Sequence, residues 1–197
     1  MKNSRLAVLL VGVVAGLVVV HRASKSAQGV KLANNESYPL QIVLVSPQLS
    51  EDSTELMGAT VTLRNTGNVP CVAFAASLVV TFSNSETRKM RWEEDRIALG
   101  YAKPFFPGDP ISPNQIYTAN RRGTVRLAAH EPSPVVGVEA TLDYVEMADG
   151  KRYGADPARV GETMRMARWA HVIERKRLLN IYDSDGLQAL LDELKRE

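Results

Sequence analysis

Three acidic residues in the stretch WEEDR, residues 92–96, are the first candidates for chemistry in this sequence. If the stretch is a β-strand, its side chains alternate between two faces, so that Glu93 and Asp95 converge while Glu94 points away. Paired carboxylates can serve acid–base catalysis, and larger oxygen clusters can hold Ca²⁺ with about six to eight ligands. Because only two of the carboxylates would converge, the pattern favours a solvated, charged strand edge.

His130 could join these carboxylates, because histidine is the most common general base. It stands before Glu131 and the tripeptide PSP in a predicted loop, and nothing nearby in the sequence converges on it. No G-x-S-x-G, H-E-x-x-H or P-loop motif occurs in the chain. A hydrolase using His130 with Glu93 and Asp95 is therefore kept as an alternative, and convergence of these groups in one pocket would support it.

Metal and thiol chemistry find little support in the sequence. The tetrapeptide DSDG at 183–186 matches part of a calcium loop, but Ile181 would occupy the first ligand position and has no side-chain oxygen. The same residues predict a helix break with Ser184 or Asp185 as the next N-cap. Cys71, the only cysteine, lies in an apolar run and is predicted to be a buried, inert thiol. The sequence therefore assigns no catalytic residue, no metal ligand and no cofactor.

The irregular segment 100–123 combines four prolines with aromatic and basic residues. Loops on a rigid scaffold often carry binding function, and aromatic and arginine side chains are common interface anchors. Alternatively, Phe105 and Phe106 close one end of the fold and the prolines set an edge connection. The candidate partner-binding residues are Tyr101, Phe105, Phe106, Tyr117, Arg121 and Arg122.

Overall charge argues against a nucleic-acid-binding protein. The formal net charge is +2, but Lys2, Arg5 and Arg22 stand at the N-terminus, and without them 21 basic residues face 22 acidic ones. A nucleic-acid-binding domain usually has a clear basic excess.

The N-terminus predicts export. Lys2 and Arg5 precede residues 6–20, which are uncharged and mostly apolar. Signal peptides contain an apolar region of about 7–15 residues, whereas a spanning helix needs about 20. Residues 1–22 are predicted to be a cleaved signal peptide or an uncleaved membrane anchor, with a buried core segment as a third alternative. Residues 23–37 are small and polar, which is typical of a tether.

Residues 38–154 have the pattern of an all-β domain. The stretch 58–65 alternates cleanly, with Ala59, Val61 and Leu63 on one face. Further strands are predicted within 40–46, 72–82, 87–99, 124–129 and 135–147, and turn residues such as those of RNTGNVP, 64–70, separate them. The sequence predicts an antiparallel β-sandwich.

The stretch VTLRNTGNVPCVAFAASLVV, 61–80, resembles the entry of immunoglobulin-like or fibronectin-like modules of exported bacterial proteins. The stretch YVEMADGKRYG, 144–154, is similar to the last hairpin of such modules. The resemblance covers residues 38–154 and implies an immunoglobulin-like sandwich that often serves adhesion or assembly. It implies no catalytic residue.

The end of this domain is predicted in more detail. The apolar parity of the strand flips at Val145 and Met147, which predicts either a bulge near Tyr144–Val145 or a strand end that is covered on both faces. Asp149-Gly150 is predicted to form a two-residue type I′ turn. Glu146 would then face Tyr153, and Met147 would face Arg152.

Residues 155–197 are predicted to form a pair of helices. Asp156 is a candidate cap, and the first helix would run over 157–182 with an apolar arc that includes Met164, Met166 and Ile173. The opposite, basic face contains Arg165, Arg168, Arg175 and Lys176 and could be solvated or lie on an anionic membrane. Leu187, Leu190, Leu191 and Leu194 form a stripe on the second helix that must be buried against something.

Together these patterns predict an extracytoplasmic binding or assembly module without catalytic activity, located in the periplasm, at the cell surface or in the medium. Its partner would be a protein of the cell envelope, and residues 6–20 would contact the membrane if they are not cleaved. The alternatives are an envelope hydrolase around His130, Glu93 and Asp95, and a membrane-surface module that uses the basic face of helix 157–182.

Overall fold

The computed structural model describes residues 29–101, 108–127, 133–156 and 158–196, without the side chains of 99–101. Its elements are β1 (Gly29–Ala33), β2 (Leu40–Leu49), β3 (Leu56–Asn65), β4 (Cys71–Phe82), β5 (Thr87–Asp95), α1 (Arg96–Tyr101), β6 (Ile116–Val125), β7 (Val135–Met147), β8 (Arg152–Tyr153) and α2 (Val160–Leu194). The protein is therefore mainly β, as predicted. The predicted signal or anchor segment, residues 1–22, lies outside the described residues.

The strands form two sheets. The larger has the order β1-β7-β4-β5, with β8 also paired to β7, and the smaller has the order β2-β3-β6. All pairs are antiparallel except β1–β7, which is parallel. The prediction of a purely antiparallel sandwich is thus corrected. The predicted tether, 23–37, is corrected in part, because its residues Gly29–Ala33 form strand β1 at the edge of β7.

One hydrophobic core lies between the two sheets. Alternate residues of β3, namely Ala59, Val61 and Leu63, are fully buried, whereas Thr60 and Thr62 lie on the outer face and form hydrogen bonds to β6. The clean alternation of this strand therefore predicted its buried face correctly. From the other sheet, Phe74, Leu78 and Val80 of β4 are fully buried among other core residues.

The predicted turn at 64–70 is fixed by Asn65, which is buried. Its side-chain nitrogen donates hydrogen bonds to the carbonyl oxygens of Val69 and Ile111, at 2.8 and 2.9 Å. Its side-chain oxygen accepts one from the amide of Gly67 at 3.0 Å. The amide group thus replaces several backbone partners at once, which is why Asn suits this position.

The predicted bulge in β7 is confirmed. Tyr144 pairs with Ala75 and Leu142 with Ala76, so Asp143 is the extra residue. The strand end after it, 144–147, is buried on both faces, so the alternative prediction is also confirmed. The predicted turn type is wrong. Of Asp149 and Gly150, only Gly150 has a positive φ, whereas a type I′ turn requires it at both. The Gly150 amide donates to the Met147 carbonyl, and the Met147 amide donates to the Lys151 carbonyl.

This pattern is a three-residue loop with glycine in the left-handed region. It shifts the pairing by one residue from the prediction. Val145 faces Tyr153, and Glu146 faces Arg152.

Two further boundaries differ from prediction. Strand β6 begins at Ile116, so the second half of the segment 100–123 is not irregular. The predicted helix break within 183–186 is confirmed, and it lies at Gly186, with φ 82° and ψ −176°, after the residues predicted to cap the next helix. Neither Ser184 nor Asp185 is therefore an N-cap, since a glycine can adopt the left-handed φ that this break requires.

Among the described residues, no helix is both long and apolar enough to span a membrane.

Candidate functional site

The start of α2 packs on the outer face of the larger sheet. Asp156 accepts hydrogen bonds from the amides of Val160 and Gly161, at 2.7 and 2.9 Å, so it caps the first turn as predicted. The predicted helix start at 157 is corrected, because α2 begins at Val160 and Arg159 is the N-cap residue. Val160 and Met164 are buried in a small apolar cluster with Ala73, Ala75 and Tyr144. A side chain at Gly161 would overlap the ring of Tyr144, so glycine permits this close approach.

An ion-pair network continues this contact. The guanidinium of Arg168 donates to Asp95 at 2.6 Å and to both oxygens of Glu146 at 2.9 and 3.1 Å. The Tyr144 hydroxyl donates to Glu146 at 2.9 Å and accepts from Arg165 at 3.2 Å. Burial and the bond to Glu146 raise the pKa of Tyr144 to about 12.

The predicted apolar arc of the first helix is confirmed at Met164, which is buried, but this network corrects the predicted orientation of the rest. Arg165 and Arg168 face the sheet, not solvent or lipid, because Asp95 and Glu146 stand there as partners. Met166 and Ile173, predicted to face inward, are exposed instead. Buried carboxylates need charged partners, which outweighs the burial of two apolar side chains.

As a whole, α2 forms a helical hairpin. We define its first arm as 160–185 and its second arm as 187–194, joined at Gly186. Arg177 pairs with Glu193 at 2.5 Å. Sixteen residues of straight helix would separate these residues by about 24 Å, so the second arm folds back on the first.

The hairpin exposes an unusual amount of apolar surface. Trp169 is 62% exposed, and other large apolar residues of both arms are also exposed. The other exposed apolar residues are Met166, Val172, Ile173, Leu179, Tyr182, Leu187, Leu191 and Leu194. Contiguous exposed apolar surface marks interaction sites in soluble proteins. The predicted leucine stripe thus remains largely uncovered.

A groove of about 800 Å³ runs between the arms. Val172, Leu179 and Tyr182 line it from the first arm, and Leu190 and Leu194 line it from the second. Its charged rim comes from His171, Glu174, Arg175 and Lys176.

A second polar cluster joins the two sheets at their β5 and β6 edges. Glu94 is buried and accepts from Arg96 and from the Tyr117 hydroxyl, each at 2.5 Å, and also pairs with Arg121. Burial and the bond to Glu94 raise the pKa of Tyr117 to about 12. The predicted solvated edge is therefore wrong for Glu94 and for Asp95, which is also paired.

The six predicted partner-binding residues are thus divided. Tyr117 and Arg121 turn inward onto Glu94, whereas Arg122 is exposed on the outer face of β6. Phe105 and Phe106 lie outside the described residues, as does the side chain of Tyr101. The three described side chains of this set, Tyr117, Arg121 and Arg122, therefore do not share one surface.

The predicted hydrolase residues are not assembled in the described structure. Asp95 bonds to the amides of Ile97 and Ala98 and pairs with Arg168, so it is occupied in holding α1 and α2. Glu93 is exposed, and His130 lies outside the described residues. Cys71 is fully buried, which raises the pKa of its thiol to about 12. Within the described ranges, no group of acidic, histidine or cysteine side chains is arranged to hold a metal ion.

Only part of the exposed apolar surface of the hairpin could be predicted from the sequence. The leucine stripe at 187–194 signalled an interaction face, but Trp169 was not singled out. The available signal was the position of Arg165 and Arg168: arginines that pair with sheet carboxylates turn the other side of the helix outward.

No protein-family model and no curated protein matches this chain. Similar solved structures include a Bordetella pertussis protein provisionally named ApaA, with 13% identity over 59% of this chain and 85% of that one, at a TM-score of 0.35. A hypothetical protein of Peptoclostridium difficile 630 has 9% identity over 67% of this chain and 92% of that one, at a TM-score of 0.37. Similarities at this level define neither fold nor function.

Proposed function

We propose that this protein is an exported or membrane-anchored module of the cell envelope that binds another protein through its C-terminal helical hairpin, without catalysis. The observation that carries the proposal is the apolar surface of the hairpin, with Trp169 at 62% exposure. Amphipathic helices commonly bind partners through such faces, and exposed tryptophans are typical anchors. A rigid β domain would support the hairpin by the contacts of Arg168 and Gly161.

We further propose that the β domain is an immunoglobulin-like sandwich. The strand order supports it: β2-β3-β6 corresponds to strands A, B and E, and β8-β7-β4-β5 corresponds to G, F, C and C′. Strand β1 would be an addition that pairs with β7 beyond the short β8. Such sandwiches serve many functions, so this assignment concerns architecture only.

Extracytoplasmic location is part of the proposal and rests on residues 1–22. Their basic start and the apolar run 6–20 have the order of an export segment. If this segment is not cleaved, the same run would hold the protein at the membrane, and the hairpin would act close to it.

The test is site-specific photocrosslinking of the full chain in intact cells. A photoreactive phenylalanine analogue replaces Leu191, which is exposed on the hairpin, or Thr118, which is exposed on the smaller sheet. We expect a discrete crosslinked species from position 191 in the extracytoplasmic fraction, and none from position 118. Absence of that species, or equal crosslinking from both positions, would overturn the proposed function.

A further inference from the structure

We propose that the partner seated in the groove of the hairpin is a second copy of this chain, in an antiparallel, two-fold arrangement centred on Leu179. This inference rests on the proposed function, because it names the occupant of the same surface. Two hairpins paired in this way would form a four-helix bundle, in which each groove is covered by the first arm of the other copy.

The distribution of charge carries the argument. Arg175 and Lys176 are exposed on one side of Leu179, and Asp183 is exposed on the other, four residues away. None of these three charges forms an ion pair within the part of the chain that the structure describes. Antiparallel helices that cross at Leu179 place Arg175 of each copy opposite Asp183 of the other. The surface is therefore complementary to itself, as a two-fold interface must be.

The apolar residues fit the same axis. Val172, Leu179 and Tyr182 follow the spacing of i, i+7 and i+10, so they lie along one side of the first arm and line the groove. A second first arm would bury all three and would also cover Leu190 and Leu194 of the second arm. A small ligand would cover the groove but would leave Trp169 and Leu187 exposed.

The position of the β domain permits this arrangement. The contacts of α2 with the sheet end at Arg168, and Leu179 lies eleven residues further along, about 16 Å by the rise of a helix. An antiparallel crossing at Leu179 thus sets the two β domains at opposite ends of the bundle.

The first experiment uses Leu179→Cys in the full chain. Cys71 is buried and provides an unreactive background. Residues on a two-fold axis between packed helices lie within reach of a disulfide, which needs Cα atoms about 4.4–6.8 Å apart. We expect copper–phenanthroline oxidation to convert most Leu179→Cys chains into a species of twice the mass, and to leave the control Thr118→Cys monomeric.

The second experiment exchanges the charges. Arg175→Asp and Asp183→Arg each place like charges together, so each is expected to weaken self-association at least tenfold in sedimentation equilibrium. The double variant, and an equimolar mixture of the two single variants, restore both attractive pairs and are expected to recover it. The control Arg122→Asp is expected to leave association unchanged. For every variant, an unchanged urea-unfolding midpoint, measured at a protein concentration too low for association, shows that the chain is folded.

The outcomes separate the two proposals. If Leu179→Cys forms a disulfide with a protein of another mass, and position 191 still forms a crosslink, the proposal that the occupant is a second copy is overturned. The proposed function is then retained. Failure of the charge exchange to recover association overturns the antiparallel register. A chain that is monomeric throughout and forms no crosslink overturns both.

Discussion

At the scale of single residues, the most consequential side chains are carboxylates that the fold buries. Glu94 joins the edges of the two sheets, and Glu146 receives the first helix arm. Both were ordinary acidic residues in the sequence. Glu94 pairs with its near neighbour Arg96 and also with Arg121, and Glu146 pairs with Arg168. The pairs with Arg121 and Arg168 are distant in the chain, so only the fold brings them within hydrogen-bond distance.

Glu94→Gln is expected to reduce the free energy of unfolding by about 3–5 kcal/mol, because it leaves Arg96 buried without its carboxylate. Urea unfolding at neutral pH measures the effect. The matched variant Glu93→Gln removes an exposed charge from the adjacent position and should change stability by less than about 0.5 kcal/mol. Equal effects for the two variants would show that the network contributes nothing specific.

Tyr144 makes stability depend on pH in the alkaline range. Its pKa is raised from 10.0 to about 12 in the folded protein, so its contribution is complete below pH 10 and is lost as the pH rises towards 12. In urea unfolding between pH 9 and 12, Tyr144→Phe should therefore lose stability less steeply than the parent chain. A Tyr144→Phe chain with the parent slope would contradict this assignment.

At the scale of elements, the first arm of α2 shows how one helix can be oriented against its apolar pattern. Its contact with the sheet combines a small apolar cluster with the ion pairs of Arg168. Gly161 brings the helix close enough to Tyr144 for both to form.

Gly161→Ala is expected to destabilise this contact by about 1–3 kcal/mol, because the added methyl group overlaps the ring of Tyr144. The loss should appear in urea unfolding and as faster hydrogen exchange in the first turns of α2. The matched control is Gly29→Ala, whose new methyl group would meet only the Val136 carbonyl oxygen at 3.9 Å. If Gly161→Ala behaved like this control, the close approach of helix and sheet would be disproved.

At the scale of the whole molecule, a β domain carries a hairpin that leaves most of its large apolar residues beyond Arg168 exposed in the described structure. The two sheets bury their inner apolar faces against each other, and the start of the hairpin covers only a small apolar cluster on the outer face. The second arm and most of the first contribute surface instead of core. This division between a stable support and an uncovered apolar projection is what an assembly module requires.

The sequence by itself determined most of the strands and the buried face of β3, but neither β1 nor the start of β6. The alternation in β3, the turn at Asn65 and the bulge in β7 all depend on neighbouring residues, and each was predicted correctly. The capping role of Asp156 is local in the same sense. A one-residue difference in loop type was enough to shift the β8 pairing, because register depends on backbone angles that Asp149-Gly150 does not specify uniquely.

Only the tertiary structure decided which side of the first arm faces the sheet and which acidic residues are buried. Both depend on pairs distant in sequence, such as Arg168 with Asp95 and Glu94 with Arg121. A helical pattern reports how apolar a face is, but not whether the opposing surface offers carboxylates. Here it does, and because buried charge demands a partner more strongly than exposed apolar surface demands cover, the helix turned its arginines inward and its tryptophan outward.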